Sequence, residues 1–254
     1  MITLSSDFGS PYPAAMKGVI LSTASTRLVD VAHDLPRQNV RAAAFWLHQV
    51  LPYFPPAVHL VVVDPGVGTE RGVLAVVAGE HVLVGPDNGV LIPPARAIAD
   101  TMTVYAVDGG EPASETFHGR DVFAPLAADI HEAGVELLET DDRCTPTTDY
   151  ETIAFPEPER DGPTIRGEVL VVDGFGNVVT NVPGSVLDGR YGGTVRIDGE
   201  TAPVRRTYAT VSPGKRLVTV GSHGNVELAV NQGRGDDGFG LAVGDTVELT
   251  LRTD

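Results

Sequence analysis

Residues 61–72 read VVVDPGVGTERG, and this stretch decides how the first half of the chain is expected to fold. Three β-branched residues lead into Asp64, and the chain then turns through a proline and several glycines around Arg71. The pattern predicts a buried strand that ends near Asp64 and is followed by a sharp loop. Because ligands of open α/β sheets bind outside the carboxyl ends of strands, we expect the loop to place an acid and a guanidinium at a binding edge of the sheet.

The same loop has other interpretations. Asp64 could cap a turn, with Arg71 as its surface ion pair. The glycines at 66, 68 and 72 are spaced one residue too widely for the G-x-G-x-x-G fingerprint, and the β-branched run 73–78 follows them instead of a helix. The spacing therefore argues against a Rossmann-type cofactor site.

Strands and helices alternate along residues 1–140, which predicts an α/β domain with a mixed sheet and flanking helices. The predicted helices cover residues 14–24, 40–54, 94–99 and 122–133. The predicted strands cover residues 2–5, 28–32, the run into Asp64, a hairpin of 73–78 with 81–84, and 103–107.

The composition changes after residue 140. Residues 141–163 are rich in proline and aspartate and are predicted to form a linker. Short alternating apolar runs separated by glycine-rich turns then replace the helical spacing, at 165–172, 178–182, 194–197, 217–220, 226–230 and 246–251. Residues 164–254 are therefore predicted to be a smaller all-β domain, similar to a barrel or sandwich.

The overall composition narrows the class of protein. The 254 residues include a single cysteine, Cys144, so an intrachain disulfide is impossible and a reducing compartment, the cytoplasm, is expected. The N-terminus lacks the pattern of a signal peptide, and no apolar run approaches the roughly 18 residues that a membrane span requires.

The chain is strongly acidic, with 34 acidic against 18 basic residues and a formal charge of -16. Such a surface repels nucleic acid and anionic membranes, so neither is an expected partner. We hypothesise a salt-rich cytoplasm, as in a halophile, where ions screen the self-repulsion. Full stability in denaturation experiments without added salt would count against this hypothesis.

Polar residues recur in glycine-rich turns, and such loops on a rigid scaffold commonly share one cleft. The turns contain Asp7, Asp64, Asp87-Asn88, His118, Asp173 to Asn177, and Ser222-His223. His118 alone could equally be a helix cap, and Asp173 and Asn177 could simply form a turn. No metal-binding spacing, G-x-S-x-G motif or P-loop is present, so no metal site is expected and a serine hydrolase or a P-loop phosphotransferase has no support.

Together these stretches resemble the S-adenosyl-L-methionine (SAM) hydroxide adenosyltransferases, relatives of the SAM-dependent fluorinase and chlorinase. The resemblance covers almost the whole chain in the same order. The matching stretches are SDFG at 6–9, MKGVI at 16–20, VDPGVG at 63–68 with Arg71, GPDNG at 85–89, FHGRDVF at 117–123 and DGFGNVVTN at 173–181.

The resemblance implies hydrolysis of SAM to adenosine and L-methionine, by attack of water or hydroxide on the ribose C5′. It implies an α/β domain followed by a smaller β domain, and a homotrimer whose sites lie at subunit interfaces. SAM is the substrate, and no cofactor or metal is implied.

The family's site residues are transferred by motif. Asp64, Arg71 and His118 match the set that handles the water, and Asp7 matches the carboxylate that binds the ribose diol. The remaining substrate contacts implied by the resemblance are Phe117 and Gly119 beside His118, Asn177 with Phe175 and Tyr208 at adenine, Asp173 at the methionine ammonium, Ser222 at its carboxylate, and Gln232 near adenine.

The chain also departs from the family pattern. Ser10 stands where relatives carry a further acidic residue, and His223 follows Ser222 where the halogenases have arginine. Three alternatives therefore remain: a SAM-dependent, chlorinase-like halogenase, a SAM- or adenosine-binding protein without turnover, and a metal-dependent hydrolase. If changing Asp64 or His118 to alanine abolishes turnover while binding is retained, the protein is an enzyme, and if the unmodified protein shows no turnover it is a binder. Activity in the presence of a chelator excludes the metal enzyme.

Overall fold

The computed structural model describes residues 1–251, so the last three residues of the predicted domain 164–254 lie outside the described part. The described residues divide into two compact units, one of residues 1–154 and one that begins at residue 155. Among residues 1–251, no helix is both long and apolar enough to cross a bilayer.

The first unit combines a seven-stranded sheet with five helices. Its strands are β1 (Ile2–Ser6), β2 (Leu28–Ala32), β3 (Val58–Val62), β4 (Val73–Ala78), β5 (His81–Pro86), β6 (Met102–Val107) and β7 (Cys144–Pro146). Its helices are α1 (Tyr12–Thr23), α2 (Val40–Val50), α3 (Ile92–Ile98), α4 (Ala124–Ala133) and α5 (Leu137–Thr140).

The strand order is β2-β1-β3-β5-β4-β6-β7. The first four strands in this order are parallel, while β4, β6 and β7 pair antiparallel, so the sheet is mixed as predicted. The chain goes from β1 to β2 on one side and returns to β3 on the other side. This is a topological switch point, and the loops after β1 and β3 flank the crevice that such a point creates.

The sheet is buried on both faces, as the uninterrupted burial of β1 and β3 shows. Ile2, Leu4 and Leu60 point into a core that includes Met16 of α1 and Phe123, which precedes α4. Helices α2 and α3 pack on each other, and α3 also contacts β4. This packing fixes the strand ends, and therefore the site, within a rigid layer.

The predicted elements of residues 1–140 are present, with differences at their ends. Helix α2 ends at Val50, because Pro52 lies in a separate 3₁₀ turn (Leu51–Tyr53), whereas the sequence suggested a helix to residue 54. Residues 119–123 form a π-helical turn before α4 begins. Gly134 ends α4 with a positive φ of 84°, as its position predicted.

The second unit contains a nearly closed antiparallel sheet in the order β12-β11-β15-β9-β10-β14-β13, with β8 beside β9. A bridge between Val204 and Val218 brings the two ends of the sheet together. Its strands are β8 (Glu159–Asp161), β9 (Thr164–Val172), β10 (Val178–Pro183), β11 (Thr194–Ile197), β12 (Glu200–Pro203), β13 (Arg216–Val220), β14 (Asn225–Val230) and β15 (Thr246–Leu251), joined by one short helix, α6 (Gly235–Phe239).

The structure differs from the sequence-based prediction between residues 141 and 163. Strand β7 in this segment pairs with β6 of the first sheet, and β8 pairs with β9 of the second. Both strands have only three residues, so no alternating pattern could reveal them. The predicted linker therefore contains one edge strand of each sheet. Along the chain, the boundary between the two compact units falls between Ala154 and Phe155.

A histidine pair, the buried His59 and the partly buried His81, lies near the amino ends of β3 and β5, away from the strand ends that carry Asp7 and Asp64. The ring of His59 contacts the Thr3 hydroxyl through Nδ1 at 2.7 Å and His81 through Nε2 at 2.9 Å. Burial, followed by the neighbouring His81, lowers the pKa of His59 to about 3. The fold therefore keeps this ring neutral.

This histidine makes the fold sensitive to acid. Between pH 6.5 and about 3 the unfolded chain binds a proton at His59 that the folded chain does not. The free energy of unfolding therefore falls as the pH is lowered, with a slope of up to about 1.4 kcal/mol per pH unit. We expect His59→Leu to reduce the slope of the free energy of unfolding against pH by the contribution of about one proton. Urea denaturation of both proteins at several pH values measures it, and equal slopes would contradict the prediction.

Candidate active site

The loop after β3 folds back on itself. The Thr69 amide and hydroxyl both donate to the Gly66 carbonyl, at 3.1 and 2.6 Å, and the Val67 amide donates to the Asp64 carbonyl at 3.3 Å. These bonds form two successive tight turns. They return the chain so that Arg71, seven residues after Asp64, faces its side chain.

Asp64 and Arg71 form a two-pronged ion pair. The Arg71 Nε donates to Asp64 Oδ1 at 2.9 Å, and its Nη2 contacts Oδ2 of the same carboxylate. The side chains are only 6% and 10% exposed, so this is not a solvated surface pair as one interpretation of the loop supposed. A fork of this kind fixes the orientation of the guanidinium.

His118 completes the cluster, with its Nδ1 2.8 Å from Arg71 Nη2. A guanidinium has donors but no acceptor, so Nδ1 must supply the lone pair in this bond. In the neutral ring the proton then lies on Nε2. The contact therefore leaves His118 with an N–H donor on the side of the ring away from Arg71.

The backbone around His118 explains how the ring is held. His118 directly precedes the π-helical turn of residues 119–123, a local geometry that recurs at functional sites. A Cβ on Gly119 would lie 3.0 Å from Met16 Sδ and 3.2 Å from Val62 Cγ1. Glycine at 119 thus allows the turn to pass close to α1 and β3.

Asp7 lies just beyond β1 and is 9% exposed. Its Oδ2 accepts a 2.7 Å hydrogen bond from the backbone amide of Gln38, in the loop after β2. Gln38 adopts a positive φ of 57°, which turns its amide toward the carboxylate. This bond fixes Asp7 at the switch point of the sheet.

A pocket of about 500 Å³ brings several of the predicted residues together. Asp7, Asp64, Phe117, His118 and Gly119 all line it. Further walls come from residues for which the sequence suggested no role, among them Phe8, Tyr12, Arg37, Gln38 and Arg120. The rings of Phe8, Tyr12 and Phe117 meet edge to face at centroid distances of 5.6 to 6.2 Å.

The predicted residues of the second unit form a separate cluster. Asp173 Oδ1 accepts from the amides of Phe175 and Asn177 at 2.9 and 2.8 Å, and Oδ2 accepts from the Asn177 side chain at 2.9 Å. The interpretation of Asp173 and Asn177 as turn-forming residues therefore holds in this structure. The turn presents the Phe175 ring outward, 81% exposed.

Tyr208 lies at the start of a hydrogen-bonded chain that the sequence did not reveal. Its hydroxyl donates to Glu227 Oε1 at 2.6 Å, and Glu227 Oε2 lies 3.3 Å from His223 Nε2. Burial, then the hydrogen bond to Glu227, raises the pKa of Tyr208 well above its usual range. Glu227 is only 4% exposed, and these contacts satisfy a carboxylate that would otherwise be costly to bury.

The other residues singled out from the sequence are placed as follows. Ser222 and Gln232 are exposed on the second unit. Asp87 accepts from the Glu151 amide at 2.8 Å, and Asn88 donates to the Val63 carbonyl at 2.9 Å. Asp87 and Asn88 therefore brace the loops around the strand ends. In the part of the chain from 1 to 251, no three His, Cys, Asp or Glu side chains cluster in a way that could hold a metal ion.

Comparison with known proteins gives matches over almost the whole chain. The model of the SAM hydroxide adenosyltransferase N-terminal domain matches residues 2–140, and that of the C-terminal domain matches residues 167–248. A protein named (R)-S-adenosyl-L-methionine hydrolase from Salinispora tropica is 40% identical, covering 98% of this chain and 97% of its own. A protein of the same name from Thermus thermophilus is 41% identical, covering 96% and 97%.

Solved structures agree with these matches. An uncharacterised conserved protein from Thermotoga maritima has a TM-score of 0.85 at 32% identity, covering 99% of this chain and 100% of its own. A conserved hypothetical protein from Thermus thermophilus has a TM-score of 0.77 at 38% identity, with 98% of each chain covered.

Proposed function

The chain belongs to the SAM hydroxide adenosyltransferase family, and on this premise we propose that it is an enzyme that hydrolyses SAM. The products are adenosine and L-methionine, and one proton is released. Relatives about 40% identical over nearly their full length carry the name of this activity. The substrate is a small molecule, and the reaction requires no cofactor.

The chemistry of SAM sets the demands on the site. The leaving group departs from a sulfonium as a neutral thioether, so no general acid is needed. The enzyme has to hold an oxygen nucleophile in line with the C5′–S bond and to exclude other water molecules from the site. Attack forms the C5′–O bond while the C5′–S bond breaks and its electron pair stays on sulfur.

One observation carries the proposal: the Asp64–Arg71–His118 contact chain, in which Asp64 and His118 line the pocket and Arg71 contacts both of them. The Arg71 charge favours hydroxide over water, because a nearby cation stabilises an anion. Asp64 holds the guanidinium in one orientation. His118 uses its Nε2–H to hold the nucleophile's oxygen, because Nδ1 accepts from Arg71 and the neutral ring then carries its proton on Nε2.

The substrate contacts are assigned by the family motifs. Asp7 binds the ribose hydroxyls in the pocket, beside Phe117 and Gly119. In the second unit Phe175 and Tyr208 stack on adenine, and Asn177 and Gln232 hydrogen-bond it, a common way to bind a nucleobase. Asp173 and Ser222 bind the methionine ammonium and carboxylate.

We also propose the homotrimer of the family, with sites at subunit interfaces. The exposure of Phe175 supports it, because a large ring that is 81% exposed gains from being covered by a ligand or a neighbouring subunit. Light scattering tests the assembly: an active monomer at low concentration would contradict it.

Product analysis tests the function. Purified protein is incubated with SAM in high potassium chloride, with and without a chelator, and the products are resolved by chromatography and mass. We expect equal amounts of adenosine and methionine in both samples. Chlorinated adenosine would instead identify a halogenase, loss of activity with chelator a metal enzyme, and retained SAM without product a binding protein.

A further inference from the structure

A hydrogen-bonded chain of four side chains runs from the protein surface to the residue before Asp7. Its members are Lys17, Asp30, His33 and Ser6. Lys17 is on α1, Asp30 is in β2, His33 directly follows β2, and Ser6 ends β1. His33 is not part of the Asp64–Arg71–His118 cluster, and it lies in none of the family motifs.

The sheet register brings the chain together. Strands β1 and β2 are parallel, with Ser5 opposite Ala32, so Ser6 and His33 come next to each other at the carboxyl ends. The Ser6 hydroxyl and His33 Nδ1 are 2.7 Å apart. Ser6 is fully buried, whereas His33 is 19% and Asp30 48% exposed.

Two contacts of His33 bracket Asp7. Its side chain holds Ser6 on one side, and its carbonyl accepts the Gly9 amide at 2.8 Å on the other. The same loop then supplies the Gln38 amide that binds the Asp7 carboxylate at 2.7 Å. The position of Asp7 therefore depends on where His33 and its loop lie.

The outer part of the chain fixes the histidine ring. Nε2 of His33 is 2.9 Å from Asp30 Oδ1, and Lys17 donates to Asp30 Oδ2 at 2.6 Å. An ionised carboxylate only accepts, so Nε2 carries a proton. In the neutral ring Nδ1 then accepts from the Ser6 hydroxyl. One set of donors and acceptors thus runs from Ser6 through His33 to Asp30.

We propose that His33 is a positioning residue that sets the Asp7 carboxylate for the ribose hydroxyls, with Asp30 and Lys17 fixing its ring. This inference rests on the proposed function. If His33 has this role, it affects the affinity for the ribose and not the rate of attack at C5′. Ser6 is a part of the scaffold and not a nucleophile, because it is buried and pairs with the ring.

The test compares the affinities of adenosine and 2′-deoxyadenosine, measured by calorimetry. A hydrogen bond to a charged group gives wild type about a tenfold or greater preference for adenosine. We expect His33→Leu to reduce this preference to within about threefold and to raise KM for SAM about tenfold, with a smaller change in kcat. His33→Asn, whose amide can still contact Ser6, is expected to recover most of the preference.

His59→Leu is the matched control. His59 also contacts a β1 hydroxyl through Nδ1 at 2.7 Å, that of Thr3, but near the other end of the strand. This variant disturbs the same sheet and is expected to keep the preference for adenosine. Asp30→Asn, at a half-exposed position, is expected to reduce the preference partially.

Coupling to Asp7 provides the decisive result. If His33 acts through Asp7, His33→Leu in an Asp7→Asn background changes the preference no further. A full preference in a folded His33→Leu variant, or additive losses in the double variant, would overturn the inference while leaving SAM hydrolysis intact. If the wild-type enzyme hydrolyses SAM but does not prefer adenosine over 2′-deoxyadenosine, Asp7 does not bind the ribose hydroxyls and the inference about His33 is overturned. If the protein shows no turnover of SAM, the proposed function is refuted together with the inference.

Discussion

Replacing His118 by alanine is expected to lower kcat for SAM hydrolysis about 10²- to 10³-fold while Kd for SAM changes less than about threefold. The physical reason is the contact between His118 Nδ1 and Arg71, which leaves Nε2–H as the donor to the nucleophile's oxygen. The hydrogen bond from Nε2–H is made to the attacking oxygen and not to the parts of SAM that dominate binding.

His118 is a better target than either member of the ion pair beside it. Asp64 and Arg71 are 6% and 10% exposed, so removal of one leaves the other charge buried and costs about 3–5 kcal/mol of stability. Loss of activity in such a variant would then report unfolding as much as catalysis. His118→Ala leaves the pair intact.

For His118→Ala, single-turnover kinetics measures the rate of SAM hydrolysis on the enzyme, and calorimetry measures Kd for SAM. His48→Leu is a suitable control, because His48 contacts the Pro93 carbonyl at 3.1 Å and does not line the pocket. Added imidazole is expected to restore part of the rate in His118→Ala. A kcat within tenfold of wild type would remove His118 from the proposed mechanism.

Replacing Asp7 by asparagine is expected to raise KM for SAM about 10- to 100-fold, with a smaller effect on kcat. Asparagine has the same shape, and its carbonyl can still accept the Gln38 amide that binds Asp7 Oδ2 at 2.7 Å. The loop therefore keeps its conformation, and the change removes chiefly the charge that strengthens hydrogen bonds from the ribose hydroxyls.

Steady-state kinetics with SAM test this prediction, and Asp34→Asn provides the control. Asp34 belongs to the loop that carries Gln38, but it is exposed and does not line the pocket. The control removes the same charge from the same neighbourhood and is expected to leave KM within about twofold. Equal effects of the two substitutions would indicate a general change in electrostatic potential instead of a ribose contact.

The part of the site that sequence alone predicted consists of residues in long, contiguous motifs. Asp64 and Arg71 occur in one glycine-rich loop, so the sequence allowed a contact between them but did not decide between a surface ion pair and a binding edge. The mixed sheet and the β domain followed from clear changes in hydrophobic period. In these segments local pattern and tertiary structure agree.

The residues that sequence analysis missed depend on which strands are neighbours. His33 belongs to none of the motifs named from the sequence, and only the parallel pairing of β2 with β1 brings it to Ser6. Glu227 is in β14, nineteen residues after Tyr208, and only the fold brings the two together. The signal available in the sequence was the presence of polar residues at or near the ends of strands, which does not specify their partners.

The proposed mechanism has water or hydroxide attack C5′ of SAM at the Asp64–Arg71–His118 cluster. A single turnover in oxygen-18 water, with mass analysis of both products, tests this attack. The proposed mechanism predicts one heavy oxygen in the 5′-hydroxyl of adenosine and none in methionine, with this labelled product formed about 10²- to 10³-fold more slowly in His118→Ala. Unlabelled adenosine, or label on the amino acid product, would contradict attack of water at C5′ and with it the mechanism built on this cluster.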